Sequence, residues 1–221
     1  TLNENKLLKE TNIVDEPEES IKSDGKLSKP VFKSLVFILL SVALWFMAYN
    51  AVTSSFSRYC IEVWNADLSV SSGYLLTATI SAIIAFVPLG FLSSKLGRKK
   101  TILLGIVLMT VCYAIAIIIK HQTPIMYLIF GLVGIGWAAI NVNSFPMVVE
   151  MSNGADVGKY TGFYYTFSMA AQIITPIFSG LLIGKTSLGY NVLFPYAVIF
   201  SALSFITMLF VKHGDVKPKS K

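Results

Sequence analysis

Six apolar runs, each about as long as a lipid bilayer is thick, occupy most of the sequence after residue 33. The runs cover residues 34–56, 72–93, 101–119, 124–149, 160–184 and 190–211. A transmembrane helix needs about 20 mainly apolar residues. Only four acids lie between residues 34 and 211, all at or beyond the ends of the runs: Glu62, Asp67, Glu150 and Asp156. Because backbone groups in lipid must satisfy one another, the runs predict six transmembrane helices and an all-α membrane protein.

The composition excludes most soluble classes of protein. Charged residues make up 14% of the chain and apolar residues 54%, whereas a soluble domain has about 25% charged residues. That leaves too little polar surface for a soluble enzyme, a disordered segment or a secreted disulfide scaffold. No pair of cysteines or histidines has metal-ligand spacing: the residues are Cys60, Cys112, His121 and His213. We therefore expect no metal site and no disulfide framework.

Both ends of the chain are polar. Residues 1–33 contain seven acids and six lysines and no sustained apolar period, so we expect a disordered linker there. We expect residues 34–212 to form the six-helix bundle and residues 213–221 to form a basic tail. The chain begins at Thr1 with this polar segment and not with a Met and a signal peptide, and we interpret it as part of a longer protein.

The basic residues predict the orientation of the bundle. With the N-terminal segment placed in the cytoplasm, fifteen of the eighteen Lys and Arg residues fall on the cytoplasmic side. The other three are Arg58, Lys120 and Lys185. Short cytoplasmic loops carry an excess of Lys and Arg, so both termini are predicted to be cytoplasmic. The net charge of +6 is then a topology signal, and we expect a lipid bilayer, not a nucleic acid, as partner.

Polar residues follow one face of several helices. The first helix has such a face at Asn50, Thr53, Ser54 and Ser57, the fourth at Trp137, Asn141 and Ser144, and the fifth at Tyr165, Ser168, Gln172, Thr175 and Ser179. Such residues either join helices, contributing under about 1 kcal/mol each, or line a cavity. We predict a solute cavity lined by Trp45, Tyr49, Asn50, Trp137, Asn141, Tyr165 and Gln172. Aromatic faces beside amides suit a sugar ring.

Two further features bear on coupling and packing. No ionisable residue lies in the middle of a run, and intramembrane ionisable residues are the usual ion or proton relays. The chain therefore shows no coupling site of its own. Small residues allow helices to approach closely, and we expect this role for Gly131, Gly134 and Gly136 in the fourth helix and for Gly180 and Gly184 in the fifth.

The loop after the second run carries a recognisable motif. It reads Gly90-Phe91-Leu92-Ser93-Ser94-Lys95-Leu96-Gly97-Arg98-Lys99-Lys100. This resembles the signature loop of the major facilitator superfamily, in which Gly, three residues, Asp, a basic residue, one residue, Gly and two basic residues follow one another. The resemblance implies a cytoplasmic gate. One position departs from the pattern, because Ser94 stands where the family has an Asp that an adjacent helix N-terminus stabilises. We then expect the stabilisation of the gate at this loop to be weaker, or to come mainly from the equivalent loop of another half.

A second segment resembles the same family. In many facilitators the fourth helix of a half ends in an acid, followed by a cation and then a glycine, and Glu150, Lys159 and Gly162 occupy these places. The resemblance implies that Glu150 pairs with Arg98 as a cytoplasmic latch, since Arg and a carboxylate pair well. The alternative is two unrelated surface charges. The gate predicted from both segments comprises Gly90, Ser94, Lys95, Gly97, Arg98, Lys99, Lys100, Glu150 and Lys159.

The resemblance implies a function. It makes the chain the C-terminal six-helix half of a twelve-helix transporter, with residues 1–33 as the central loop and an N-terminal half as partner. The stretch from Gly134 to Gly184 is similar to the glycoside–pentoside–hexuronide:cation symporters and the sucrose-transporter-like proteins. Secondary transport of a small polar solute across the plasma membrane is then expected, most of all a sugar or glycoside coupled to a proton or sodium ion, with no cofactor.

Two alternatives stay open. One is a facilitator for a drug or another metabolite, which a more apolar cavity would favour. The other is a membrane scaffold or a membrane-embedded enzyme. An enzyme would need a cluster of His, Asp, Glu or Cys at one membrane face, whereas His121 and His213 fall at opposite faces. We therefore do not expect an enzyme.

Overall fold

The fold is all-helical in the part of the chain that the computed structural model describes, residues 27–152 and 156–215. Six long helices run from one end of a bundle to the other: α1 (Lys29–Trp64), α2 (Leu68–Leu96), α3 (Arg98–Ile118), α4 (Ile125–Val149), α5 (Val157–Lys185) and α6 (Leu193–Leu209). A 3₁₀ turn, Gly189–Val192, precedes α6. Each of the six helices, with α6 counted together with this turn, is long and apolar enough to cross a bilayer. This confirms the predicted fold class.

The helices extend beyond the apolar runs. α1 begins at Lys29, five residues before the start expected at residue 34, because Pro30 at its first turn favours helix initiation. The expected disordered linker otherwise falls on residues 1–26, which lie outside the described residues. Of the expected basic tail, only residues 213–215 are described.

The helices pack as two interlocked groups of three. In one group α4 packs against α2 and α3, and in the other α1 packs against α5 and α6. The contact between α3 and α6 joins the two groups. The first helix of each half of the chain thus packs between helices of the other half. This exchange is the arrangement expected of two three-helix repeats within one six-helix unit. It places α1 and α4 at the centre, where each supplies many of the buried side chains.

An aromatic cluster fixes one end of the central helices. Phe56 of α1 lies 4.5 Å from Phe130 of α4 between ring centroids, and Tyr59 lies 5.0 Å from Phe194 of α6 in an edge-to-face arrangement. Trp64 closes the cluster and donates its indole N–H to the Ile119 carbonyl, 3.3 Å away. Aromatic pairs of this kind add about 0.5–1.5 kcal/mol each to the burial of their surface.

The opposite end gathers the start of α1, the α2–α3 loop and the segment after α6. The Lys212 amide donates to Ser34 Oγ at 3.1 Å, and the Arg98 amide donates to Asp215 Oδ1 at 2.7 Å. We call this the basic end, because Lys95 at the end of α2 and Arg98, Lys99 and Lys100 at the start of α3 lie there. Gly97 alone forms the α2–α3 loop between them.

Glycines allow α4 to approach α2 and α3 backbone to backbone. A Cβ on Gly134 would overlap the Ala78 carbonyl of α2, and a Cβ on Gly105 of α3 would lie 2.6 Å from the Gly136 carbonyl. The close packing expected at Gly134 and Gly136 is therefore present. The expectation was wrong for Gly180 and Gly184 within the described chain, since no atom lies within 4 Å of a Cβ at either position. Both sit on α5, much of which is exposed.

We expect Gly134→Ala to lower the free energy of unfolding by about 1–3 kcal/mol, the usual cost of overpacking a filled interface. The added methyl group meets backbone atoms of Ala78, which cannot move aside as a flexible side chain would. Thermal unfolding of the purified protein in detergent measures the change. Gly158→Ala is the matched control, because nothing lies within 4 Å of a Cβ there. An equal apparent Tm for the two variants would contradict this account of the α2–α4 contact.

Candidate functional site

A cavity of about 350 Å³ lies between α1, α4 and α5. It is lined by aromatic rings and by hydroxyl and amide groups: Phe46, Asn141, Phe145, Tyr164, Tyr165, Ser168, Met169 and Gln172. None of these side chains is charged. The cavity is therefore suited to a neutral solute that offers both apolar faces and hydrogen-bonding groups.

Two asparagines of the predicted cavity are held by their own helices. Asn141 donates its amide N–H to the Trp137 carbonyl at 2.9 Å, and Asn50 donates to the Phe46 carbonyl at 2.7 Å. Each bond fixes the amide nitrogen, which leaves the amide oxygen as the group that can accept a hydrogen bond from a solute. Asn141 lines the cavity, whereas Asn50 lies one turn beyond Phe46 on α1.

The predicted aromatic residues divide into two environments. Tyr49 and Trp137 are half-buried and stack face to face, with centroids 3.9 Å apart and planes 8° apart. Phe46, which lines the cavity, meets Trp137 edge-on at 5.1 Å. Trp45 has no exposed surface and belongs to the hydrophobic core. The structure therefore brings Tyr49 and Trp137 beside the cavity and places Trp45 in the packing behind it.

The polar face predicted on α5 lies partly at the cavity and partly inside the bundle. Tyr165 and Gln172 are exposed and line the cavity. Thr175 and Ser179 are buried, and each donates its hydroxyl to a carbonyl of its own helix. At 3.6 residues per turn, Thr175 lies about 80° around the helix from Tyr165. The predicted face is thus wide enough for one edge to reach the cavity while the other packs inside the bundle.

Five lining residues are absent from the predicted cavity set: Phe46, Phe145, Tyr164, Ser168 and Met169. Ser168 was recognised only as part of the polar face of α5. Helical spacing carries a signal for two of them, because Phe46 lies one turn before Asn50 and Phe145 one turn after Asn141. Tyr164 is buried and shares a 2.9 Å hydrogen bond with Ser144 of α4. No sequence pattern distinguishes Tyr164 from the neighbouring Tyr165.

At the basic end, the α2–α3 loop is a sharp corner. Gly97 ends α2 and precedes α3 with φ of 92°, a conformation that disfavours residues with a side chain. Arg98 follows and forms an ion pair between its Nη1 and Oε1 of Glu150, at the end of α4. The two side chains are 23% and 39% exposed, so the pair is partly accessible to solvent. It links α3 to α4.

The remaining predicted gate residues have different surroundings. Lys99 donates its ammonium group to the Leu209 carbonyl at 2.9 Å and to the Val211 carbonyl, at the end of α6. Ser94 is exposed and donates its hydroxyl to the Phe91 carbonyl at 2.7 Å, within its own helix. The others lie at the surface or partly buried: Gly90 is half-buried, and Lys95, Lys100 and Lys159 are exposed. Lys159 lies at the start of α5, where it lines a separate surface cavity with Lys29.

Comparisons with known proteins agree with this architecture. A solved structure, that of the human organic anion transporter MFSD10 (TETRAN), superposes with a TM-score of 0.63 over 85% of this chain and 49% of its own length, at 14% sequence identity. That likeness concerns the fold. An uncharacterized MFS-type transporter, C18.02, of Schizosaccharomyces pombe is 27% identical over 154 residues, which is 69% of this chain and 34% of that protein.

This chain thus spans about a third of the length of the yeast relative and about half of the human structure. A family model described as Major Facilitator Superfamily matches residues 65–221, from the turn before α2 to the end of the sequence. With most of the chain matched, this multi-pass membrane protein belongs to the major facilitator superfamily.

Proposed function

We propose that the chain is the C-terminal six-helix half of a twelve-helix secondary transporter, and that it carries a small polar solute by alternating access. The observation that supports the proposal most is the uncharged cavity, lined mainly by aromatic and polar side chains, between α1, α4 and α5. In transporters built from repeated halves, solutes bind at the interface between the halves. The N-terminal half would supply the facing wall.

The chemistry of the lining favours a polyhydroxylated solute such as a sugar or glycoside. A sugar ring presents C–H faces that pack on Phe145 and Tyr165, and hydroxyl edges that bond to Asn141 and Gln172. A more hydrophobic drug would leave the two amides without partners, at about 1–3 kcal/mol for each group that stays desolvated. A solute with a full negative charge would need cations, and no lining residue of this cavity is basic.

We propose coupling to a proton or sodium ion on the family resemblance alone, with a coupling site that is not seen in this half. The described spans carry no acid or base near their centres, and such a group is what an ion relay in the membrane requires. The excess of Lys and Arg at the basic end supports a cytoplasmic position for both termini. We propose the plasma membrane as the location and residues 1–33 as the loop that joins the halves.

The Arg98–Glu150 pair is proposed as a latch on the α2–α3 loop. Both partners lie in this chain, so the pair positions the loop on which the other half closes and does not bridge the halves itself. Partly exposed ion pairs contribute about 0–1 kcal/mol. A difference of that size changes the ratio of two conformations by up to about five-fold. The latch therefore tunes the equilibrium between the two access states.

We expect Gln172→Ala and Asn141→Ala each to raise the KM for a transported sugar about 5–10-fold, since each removes one hydrogen bond of about 1–1.5 kcal/mol. Uptake into vesicles by the complete transporter, with a panel of sugars and an imposed proton or sodium gradient, measures this. Gln122→Ala is the matched control, because Gln122 lies in the α3–α4 connection, on the far side of the bundle from the basic end. Unchanged uptake in both cavity variants would refute the assignment, and uptake of anions but not sugars would refute the solute class.

We expect Glu150→Gln and Arg98→Gln each to reduce the transport rate about two- to five-fold, because each removes the latch. The double variant should be no slower than either single variant, since both changes abolish one interaction. Uptake rates per folded molecule give the comparison. Lys100→Gln, an exposed neighbour, serves as the control. Effects that simply multiply in the double variant would show that the two charges act independently.

A further inference from the structure

The short segment after α6, residues 211–215, contacts three other helices at the basic end, and we call it the tail clasp. Its Lys212 amide donates to Ser34 Oγ of α1 at 3.1 Å, and His213 Nδ1 lies 2.8 Å from the same oxygen. Ser34 is buried, whereas His213 is half-buried, so these bonds lie partly shielded from water. The clasp is thereby fixed to the start of α1.

Asp215 of the clasp caps the N-terminus of α3. Its Oδ1 accepts from the Arg98 amide at 2.7 Å and from the Lys99 amide at 3.3 Å. The first amides of a helix have no partner within the helix, and an anion there is stabilised by the helix dipole. The residue at the N-cap position of α3 is Gly97, which has no side chain with which to cap these amides itself. Asp215 fills this role from a distant part of the sequence.

Glycines admit the clasp to this position. A Cβ on Gly97 would lie 3.2 Å from Asp215 Oδ2, and a Cβ on Gly214 would lie 2.5 Å from the Met147 carbonyl of α4. Gly214 also has a positive φ of 83°. The clasp therefore lies directly on the end of α4, one turn from Glu150.

Lys99 makes the converse contact, in which a cation binds the C-terminal end of a helix. Its ammonium group binds the Leu209 and Val211 carbonyls, where the negative end of the α6 dipole favours a cation. The anion from the clasp thus stabilises the start of α3, and the cation from α3 stabilises the end of α6. Each of these contacts holds the Arg98 backbone at the place from which its side chain reaches Glu150.

We propose that Asp215 is a positioning residue for the latch. Its carboxylate binds the first amides of α3 and holds the backbone of Arg98 so that the guanidinium group meets Glu150. The gate function rests on the proposed transport, whereas the cap on α3 does not.

Hydrogen exchange tests the cap without reference to transport. In Asp215→Ala, which removes the acceptor oxygen, the amides of Arg98 and Lys99 should exchange about ten-fold faster than in the parent transporter, whereas Asp215→Glu should keep part of the protection. Mass spectrometry of the complete protein in detergent, with fragmentation that resolves residues 97–101, measures both. Asp67→Ala is the matched control, because Asp67 occupies the N-cap of α2 without a side-chain hydrogen bond to it. Unchanged exchange at Arg98 and Lys99 in Asp215→Ala would overturn the proposal.

Cysteine labelling tests the positioning role. Cys60 and Cys112 are buried, so the labelling of a Ser94→Cys variant in excess of the parent transporter's reports on the end of α2 beside the α2–α3 loop. Adding Asp215→Ala should raise the labelling rate by a membrane-impermeant maleimide about three-fold per folded molecule. Glu150→Gln should raise it similarly, and the two together no further, because both act through Arg98.

The outcomes distinguish the cap on α3, the positioning of the latch and the proposed transport from one another. A fall in apparent Tm with no change in labelling would make Asp215 a structural cap only and would overturn its positioning role. Faster labelling in a protein that transports none of the panel solutes would support the clasp while the proposed solute fails. Normal uptake with unchanged labelling and unchanged exchange would leave the proposed transport intact and refute the clasp.

Discussion

The backbone contact of α4 with α2 and α3 is the constraint on which the rest of the molecule depends. In a bilayer, apolar side chains gain nothing by leaving lipid for one another, so helices associate through close packing. Gly105, Gly134 and Gly136 let the helix backbones touch, which fixes the rotation of α4 about its own axis. That rotation turns Asn141 toward the cavity and brings Glu150 to Arg98. One helix thus connects the candidate solute site to the candidate gate.

Hydrogen bonding within the helices determines which polar groups remain for a solute. Thr175 and Ser179 donate hydrogen bonds from their hydroxyl groups to carbonyls of the preceding turn, as hydroxyl side chains in helices commonly do. An amide has more hydrogen-bonding groups than a hydroxyl, so Asn141 bonds to its own helix and still has an oxygen to offer. This difference explains why amides, and not the more numerous hydroxyls, are the candidate solute ligands.

Charge at the basic end is organised by helix termini. Arg98 and Lys99 begin α3, yet their side chains reach the ends of α4 and α6, where carbonyl groups and Glu150 carry negative charge. The unfavourable placement of two cations at a helix N-terminus is offset by Asp215, which binds both of their amides. The loop therefore depends on a carboxylate from the far end of the described chain. A carboxylate at residue 94, as in the family motif, would lie on α2.

The sequence alone determined the number of helices, their approximate limits and the identity of the signature loop. These are local properties: apolar length, the exclusion of acids and the spacing of glycine and basic residues can be read without knowing any contact. The tertiary structure decided which residues of each polar face reach the cavity, because helical spacing does not say which edge of a face meets a neighbour. It buried Trp45 and exposed Gln172. It also brought Asp215 to Gly97, a contact across more than a hundred residues that no local pattern encodes.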